Sequence, residues 1–175
     1  MSASPAASRP GPDEYASYYE KYVSLVAGDV MEALARQGAT TVAGLRGLPE
    51  EVGDSRYAPG KWSVKELVGH IIDAERVFAY RALRFARGDG TPLAGFDQDP
   101  YVAAANSDAR TLDDLSDEFE CVRASTILLL RSFGPEAWLR RGTASDNEVS
   151  VRALAHIIAG HEQHHVNILR ERYLK

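Results

Sequence analysis

Histidines are concentrated near the C-terminal end of the chain. His156, His161, His164 and His165 lie close together, and His70 is the only other histidine. In a helix, which turns about 100° per residue, His161 and His165 project within about 40° of each other. His156 then points to roughly the opposite side, and His164 lies about 60° from His161. Two imidazoles one turn apart can act on the same ligand.

His161 and His165 share their face of the predicted helix with the apolar residues Leu154, Ile158 and Ile168. A single histidine on such a face is more often a core residue hydrogen-bonded to a carbonyl or carboxyl group. Two neutral imidazoles, however, carry four ring nitrogens that need partners. A divalent metal binds one nitrogen on each ring and leaves the other to outer hydrogen bonds. The pair therefore favours metal binding over a purely structural role.

A catalytic divalent metal takes three protein ligands and keeps one position open. His70 is the only histidine outside the final helix, so it is the candidate third ligand. We therefore predict a metal site of His70, His161 and His165. Imidazole ligands do not select one metal, so we expect zinc or nickel, with iron or cobalt as alternatives.

The predicted helices must position these histidines. Tyr15, Tyr19 and Tyr22 recur at helical spacing, which predicts a first helix from Asp13 to Gly38. These tyrosines are expected in the core, although together with Tyr18 they could also line a cavity. Residues 39–60 are expected to be a connector with one short turn at residues 41–47.

Two capping signals define the start of the second and third helices. Ser63 and Glu66 form a capping-box pattern that begins a helix reaching to about Gly88, with His70 at the edge of its buried face. Thr111 and Asp114 mark the start of the third helix, which ends near residues 134–135.

The final helix is expected to begin at Ser150, after a polar turn at residues 143–148. Residues 89–110 read as an irregular loop, either a binding loop or lid or a solvated crossover. Its aromatic and acidic members are Phe96, Asp97, Asp99 and Tyr101.

The pattern predicts an all-α fold: a four-helix bundle with long crossover connections and no convincing strand. Residues 13–175 are expected to form one domain, and residues 1–12 a disordered tail without the features of a signal peptide.

Composition excludes several classes of partner. The net charge is −5 and no basic cluster occurs, which argues against nucleic acid binding. No apolar run is long enough to span a membrane. The single cysteine, Cys121, cannot form an intramolecular disulfide, which fits a cytoplasmic protein.

Three segments together resemble the DinB-like superfamily: residues 61–66, residues 69–75 with His70, and the His161–His165 pentapeptide. This group includes YfiT-like proteins described as metal-dependent hydrolases and thiol S-transferases that use bacillithiol or mycothiol. The resemblance covers residues 13–173. It implies a four-helix bundle, often a homodimer, with a metal held by His70, His161 and His165, and it gives no ligand role to His156 or His164.

A metal held by three neutral ligands can lower the pKa of water for hydrolysis or hold a thiol as thiolate for transfer to an electrophile. The resemblance favours a low-molecular-weight thiol S-transferase with a thiol cosubstrate and a small-molecule electrophile. The alternatives are a metal-dependent hydrolase, a non-catalytic metal-binding module and a metal-free bundle.

Helper residues are less clearly marked. Asp73 and Glu75 follow His70 on its helix and could orient a ligand or act as a base, although helical carboxylates are usually solvated or ion-paired. Arg81 lies near the buried face, where an uncompensated charge is costly. It is expected to pair with Asp29 or another acid, or else to bind an anionic substrate end. The aromatic first helix is a candidate dimer contact.

Overall fold

The computed structural model describes residues 8–175. Within this range the α-helices are α1 (Glu20–Val23), α2 (Val30–Arg46), α3 (Glu50–Gly53), α4 (Val64–Ala86), α5 (Gln98–Ala104), α6 (Leu112–Arg131), α7 (Pro135–Leu139) and α8 (Val151–Ile168). Two strands, β1 (Arg141–Ala144) and β2 (Asn147–Ser150), form an antiparallel hairpin. Short 3-10 turns occupy Pro12–Glu14, Ser17–Tyr19 and Ser107–Ala109, and a π-helical turn, Leu169–Tyr173, follows α8.

Residues 1–7 of the predicted disordered tail lie outside the described residues. From residue 8 onward the chain makes contacts: Arg9 forms an ion pair with Glu20, and Pro10 is buried.

The four long helices α2, α4, α6 and α8 form the bundle, which confirms the predicted all-α class. Helix α4 packs against α6 and α8, and α2 packs against the same two helices. Helices α2 and α4 therefore occupy opposite corners, as do α6 and α8. The connections that cross the bundle are residues 47–63 and 132–150, so the topology is crossed rather than simply up and down. The first crossing connection follows α2 and the second follows α6. The long connection between α4 and α6 joins neighbouring helices.

Side-chain caps begin three of the long helices where the sequence predicts. Ser63 Oγ accepts a hydrogen bond from the Glu66 N–H at 3.0 Å, and Glu66 accepts one from the Ser63 N–H at 2.8 Å. Thr111 caps α6 through the Asp114 N–H, and Ser150 caps α8 through the Ala153 N–H. These caps satisfy amide groups that have no partner within the helix.

The first predicted helix is wrong in its bounds. Residues 13–23 form short turns, and the long helix begins only at Val30, where the Asp29 carboxylate accepts a hydrogen bond from the Met31 N–H at 2.7 Å. Gly28, with φ of 76°, breaks the chain before this cap. Helix α2 then runs through Gly38 to Arg46, so the predicted stop at Gly38 and connector from residue 39 are also wrong.

Several short elements were not predicted, among them α3, α5 and the two strands. Residues 89–110 contain α5, which the Asp97 carboxylate caps by accepting from the Asp99 N–H at 3.1 Å. The polar turn at residues 143–148 lies within the β1–β2 hairpin, which corrects the expectation of no strand. Leu93 joins this hairpin: its N–H donates to the Thr143 carbonyl at 2.9 Å, and its carbonyl accepts from the Ser145 N–H at 3.0 Å.

The buried apolar side chains form two clusters. The larger includes Phe78, Phe85 and Leu154, and the smaller includes Ile71 and Phe119. Polar side chains lie near the boundary between the clusters. We call the following residues the polar layer: Thr41, His70, Glu75, Arg123, His161, Glu162 and His165.

Among residues 8–175, no helix combines the length and apolar character that crossing a bilayer would require.

Candidate metal centre

Helix α4 carries His70 into the interior within its first two turns, because the Ser63 cap determines where the helix begins. The side chain is buried, and the ring of Trp62 lies 4.9 Å from it between centroids.

Helix α8 presents His161 and His165 one turn apart on its buried face. Gly160 allows the N-terminal segment to approach this helix closely, since a Cβ atom at this position would lie 2.0 Å from the Tyr22 carbonyl oxygen. The Tyr22 ring consequently packs edge-on against His161, with 5.2 Å between centroids.

The structure brings the three predicted ligands together from two helices. Nε2 of His70 lies 3.0 Å from Nε2 of His161, and Nε2 of His165 lies 3.2 Å from that same atom. One ligand atom from each of the three rings lies within 4.8 Å of the others. Zinc–nitrogen bonds of 2.0–2.1 Å at tetrahedral angles would separate two ligand nitrogens by about 3.3 Å. The arrangement therefore fits a divalent metal.

The electrostatics of the cluster also fit a cation. Burial lowers the pKa of His70 to about 4. Burial, together with the neighbouring His70, lowers the pKa of His165 to about 3. The pKa of His161 lies well below its ordinary value, through burial and then the nearby His165 and His70. All three imidazoles are thus neutral near pH 7, as metal ligands must be.

Hydrogen bonding within the cluster cannot satisfy the three rings. Nε2 of His161 carries either one proton or one lone pair, so it cannot satisfy both nitrogens that face it. Nδ1 of His165 is also buried with no hydrogen-bond partner in the described part of the chain. A cation among the three Nε2 atoms would satisfy every lone pair that points there.

A cavity of about 460 Å³ opens onto His70 and His161. Its walls include Tyr18, Tyr19 and Tyr22, which confirms that these three tyrosines can line a cavity, together with Phe96 and Asp97 from the loop after α4. Tyr15 is instead buried in the larger apolar cluster.

A second cavity, of about 320 Å³, opens onto His165. Its walls include Trp62, Asp99 and Tyr173, and Gln98 at the start of α5 lines both cavities. The loop predicted as a binding loop or a crossover thus contributes side chains to both. The cluster is therefore bordered by two cavities, one at His70 and His161 and the other at His165.

Asp73 and Glu75 line neither of these cavities. Glu75 is buried and accepts two hydrogen bonds from Arg123, at 2.9 and 2.7 Å. Asp73 is partly exposed, with Arg76 Nη1 at 3.9 Å, and burial raises its pKa. The structure therefore does not bring these carboxylates to the histidine cluster.

Arg81 lies in the wall of the first cavity and is only 2% exposed. Its Nη2 donates to the Ala94 carbonyl at 2.9 Å and to Ser145 Oγ at 3.1 Å. The expected pairing with an acid is wrong for the described residues: Asp29 caps α2, and none of their carboxylates lies within ion-pair distance of this guanidinium.

The other two histidines lie outside the cluster. His156 is buried, and its Nδ1–H donates to the Arg152 carbonyl at 2.9 Å. His164 packs beside Tyr22, at 5.3 Å between centroids. Neither shares the group of three buried ligand atoms.

Sequence reasoning did not identify Trp62, Phe78 and Ser145 as site residues. Phe78 belongs to the larger apolar cluster, and its ring also lines the first cavity, 6.1 Å from the ring of His161 between centroids. Its position two turns beyond His70 on the same helix was an available signal. No sequence signal marks Ser145 as a site residue, because only the tertiary fold brings the hairpin to the cavity.

Comparisons with known proteins agree with this fold. A family model described as DinB superfamily matches residues 33–169. The structure is similar to that of YfiT from Bacillus subtilis, described as a probable metal-dependent hydrolase with an unusual four-helix bundle topology. The match has a TM-score of 0.75 and 15% sequence identity, and it covers 93% of this chain and 91% of YfiT. No curated protein matches the sequence.

Proposed function

The chain belongs to the DinB superfamily, and from this premise we propose that it is a metal-dependent enzyme acting on a small molecule. His70, His161 and His165 would hold a divalent metal, with zinc or nickel as the first candidates and iron or cobalt as alternatives. The observation that carries the proposal is the convergence of three buried Nε2 atoms, 3.0 and 3.2 Å apart, beside a cavity.

A metal on three neutral imidazoles supplies Lewis acidity and lowers the pKa of a bound water or thiol. The protein would position the metal ligands and give small molecules access to them. Burial keeps the imidazoles neutral, and the two cavities admit small molecules, as a catalytic rather than a closed structural site requires. Glu162 is an unsuitable fourth ligand because its carboxylate contacts Arg123 and accepts a hydrogen bond from Thr41 Oγ1 at 2.6 Å.

We favour a low-molecular-weight thiol S-transferase. A transfer reaction has two substrates, and the cluster has two cavities, one at His70 and His161 and the other at His165. A thiol cosubstrate in one cavity and an electrophile in the other would meet at the histidine cluster. The protein then needs no nucleophile of its own.

A metal-dependent hydrolase is the second candidate, and the description of YfiT favours it. Hydrolysis needs only one organic substrate, which the first cavity can hold beside His70 and His161. The two reactions share the ligand set and differ in the nucleophile.

Metal analysis of protein purified without a histidine tag tests the proposed site. We expect about one ion per chain, and a loss of roughly tenfold or more in His165→Ala. His164→Ala is the matched control, since it removes a neighbouring imidazole outside the cluster and should retain the metal. Undiminished metal in His165→Ala would refute the three-histidine site.

Turnover then separates the two reactions. Monochlorobimane with a panel of small thiols reports transfer, and p-nitrophenyl acetate without thiol reports hydrolysis. Transfer predicts a thiol-dependent rate that falls to the metal-free background in His165→Ala. A metal-dependent rate with the ester alone would favour the hydrolase instead.

A further inference from the structure

Arg81 differs from the other buried charged side chains of the described residues. Glu14 pairs with Arg152, Lys65 with Glu50 and Asp54, and Arg123 with Glu75 and Glu162. Arg81 is equally buried but has no carboxylate within ion-pair distance among residues 8–175. A buried cation without a counter-charge is costly, so this arrangement requires a reason.

The groups around Arg81 do not neutralise it. The Ala94 carbonyl and Ser145 Oγ, which accept from Nη2, carry no charge. Burial raises the pKa of Tyr19, so this neighbouring phenol also stays neutral. Lys21 and Asp97 are the other charged side chains of the cavity wall. Apart from the histidines, the wall thus has two cationic side chains and one anionic side chain.

We propose that Arg81 binds the anionic group of a small-molecule substrate, a carboxylate or a phosphate ester, in the cavity that opens onto His70 and His161. This inference rests on the proposed function, because it names the substrate class of the same site. A planar guanidinium suits both groups, and its hydrogen bonds to them are charge-assisted.

The position of Arg81 also indicates the shape of the substrate. At about 1.5 Å per residue, Arg81 follows His70 by roughly 16 Å along α4 and projects within about 20° of it. Phe78 lies between them: its ring contacts His161, at 6.1 Å between centroids, and has the Arg81 Cζ at 5.7 Å. We infer an elongated substrate with its reacting group at the histidines, an apolar middle over Phe78 and an anionic end at Arg81.

Matched acids and neutral analogues test the proposal. Binding of phenylacetate, 3-phenylpropionate and phenyl phosphate is compared with phenylacetamide, 3-phenylpropionamide and phenol, by NMR titration of metal-free protein at low salt. Metal-free protein is used because a metal could itself bind the acids. We expect at least one acid to bind about tenfold more tightly than its neutral partner, as a charge-assisted contact implies.

Four variants separate binding from structure. Arg81→Gln should abolish the preference for acids, and Arg81→Lys should retain part of it. Ser145→Ala removes a hydrogen-bond partner of Arg81 without changing charge, so it should retain the preference. Asp97→Asn keeps a helix-capping side chain but removes the negative charge, so it should strengthen acid binding.

The proposal is overturned if no acid in the panel is preferred by the native protein, or if the preference survives in Arg81→Gln. If Arg81→Gln does not fold, the affinities of Arg81→Lys and Asp97→Asn for the acids test the proposal instead. Acid affinities unchanged from the native protein in both variants would refute it. Metal content is measured on the same variants. Lost acid preference with native metal content would locate the defect at Arg81, whereas a protein that prefers acids but binds no metal would refute only the metal-dependent function.

Discussion

Arg123 holds a buried guanidinium between two carboxylates of the polar layer. It makes a two-point contact with Glu75, and its Nη1 lies 2.6 Å from Glu162 Oε2. The second contact is ionic rather than a hydrogen bond, because Oε2 has no well-aligned donor among the described residues. Burial raises the pKa of Glu162. These ionic contacts join α4, α6 and α8 next to His161, one of the proposed metal ligands.

Removing Arg123 should be strongly destabilising. Arg123→Ala leaves two buried carboxylates without their cation, and we expect it to lower the free energy of unfolding by about 3–5 kcal/mol. Glu75→Gln should cost more than Glu162→Gln, because Glu75 has the two-point contact and the ionised form of Glu162 is already disfavoured. Denaturant unfolding at pH 7 measures all three.

The exposed Arg76 provides the control for Arg123. It pairs with Glu118 at the surface, so Arg76→Ala should change stability by no more than about 1 kcal/mol. Equal losses in Arg76→Ala and Arg123→Ala would show that the buried cluster has no special role.

The three histidines of the candidate metal site could be predicted from the sequence because their signals are local. His161 and His165 are one helical turn apart, and His70 is placed by the nearby cap at Ser63. The contacts of Glu75 were not readable, since its partner Arg123 lies 48 positions away. A single sequence does not indicate which charged side chains, distant along the chain, contact each other in the fold.

At the scale of elements, Gly38 shows why the first helix was predicted with the wrong end. Glycine commonly ends a helix, yet Gly38 lies inside α2 because a Cβ atom there would be 2.9 Å from Cγ of Arg123. The glycine makes room for the buried cluster. The hairpin was not predicted because its turn lacks the usual sequence signal. Ser145 and Asp146 both have positive φ there, a conformation usually marked by glycine or asparagine.

Glu14 fastens the N-terminal segment to the start of α8. Its carboxylate accepts hydrogen bonds from Ser150 Oγ at 2.7 Å and from the Gly11 N–H at 2.7 Å, and it pairs with Arg152. Burial alone would raise the pKa of Glu14, but the bonds from Arg152, Gly11 and Ser150 outweigh it and lower the pKa to about 2.

These contacts of Glu14 should make the free energy of unfolding decrease at acidic pH. Because the native pKa of about 2 lies below the ordinary value of 4.5, the contribution of Glu14 is fully present above pH 4.5 and is lost as the pH falls towards 2. Glu14→Gln should lower the free energy of unfolding by about 2 kcal/mol at pH 7. It should also flatten the pH dependence between these values, as urea unfolding across a pH series would measure.

Glu171→Gln is the control for Glu14, since Glu171 is exposed. It should leave both the stability and its acid dependence unchanged. An acid dependence as steep in Glu14→Gln as in the native protein would contradict the assigned role.

At the scale of the whole molecule, the crossed bundle combines two apolar clusters with the polar layer. Apolar periodicity was enough to predict an all-α bundle, because each long helix must bury one face. Periodicity does not specify which helices are neighbours. The diagonal placement of α2 and α4, and of α6 and α8, follows from packing between distant segments.

The three histidines proposed as metal ligands lie on α4 and α8, which pack against each other, so global unfolding must also separate these histidines. A metal that binds only the native state therefore stabilises the whole fold. At about 1,000 times its dissociation constant it contributes about 4 kcal/mol. For a domain of this size each kcal/mol corresponds to about 2–4 °C in Tm. We expect removal of the metal with a chelator to lower Tm by roughly 10 °C.

His165→Ala distinguishes this effect from a general action of the chelator. The variant should start from a lower Tm and show no further change with chelator, because it has little metal to lose. His164→Ala should respond as the native protein does. If thermal scans gave native protein the same Tm before and after metal removal, the ion would not link α4 to α8 in the folded state. A chelator response retained in His165→Ala would instead place the stabilising metal elsewhere.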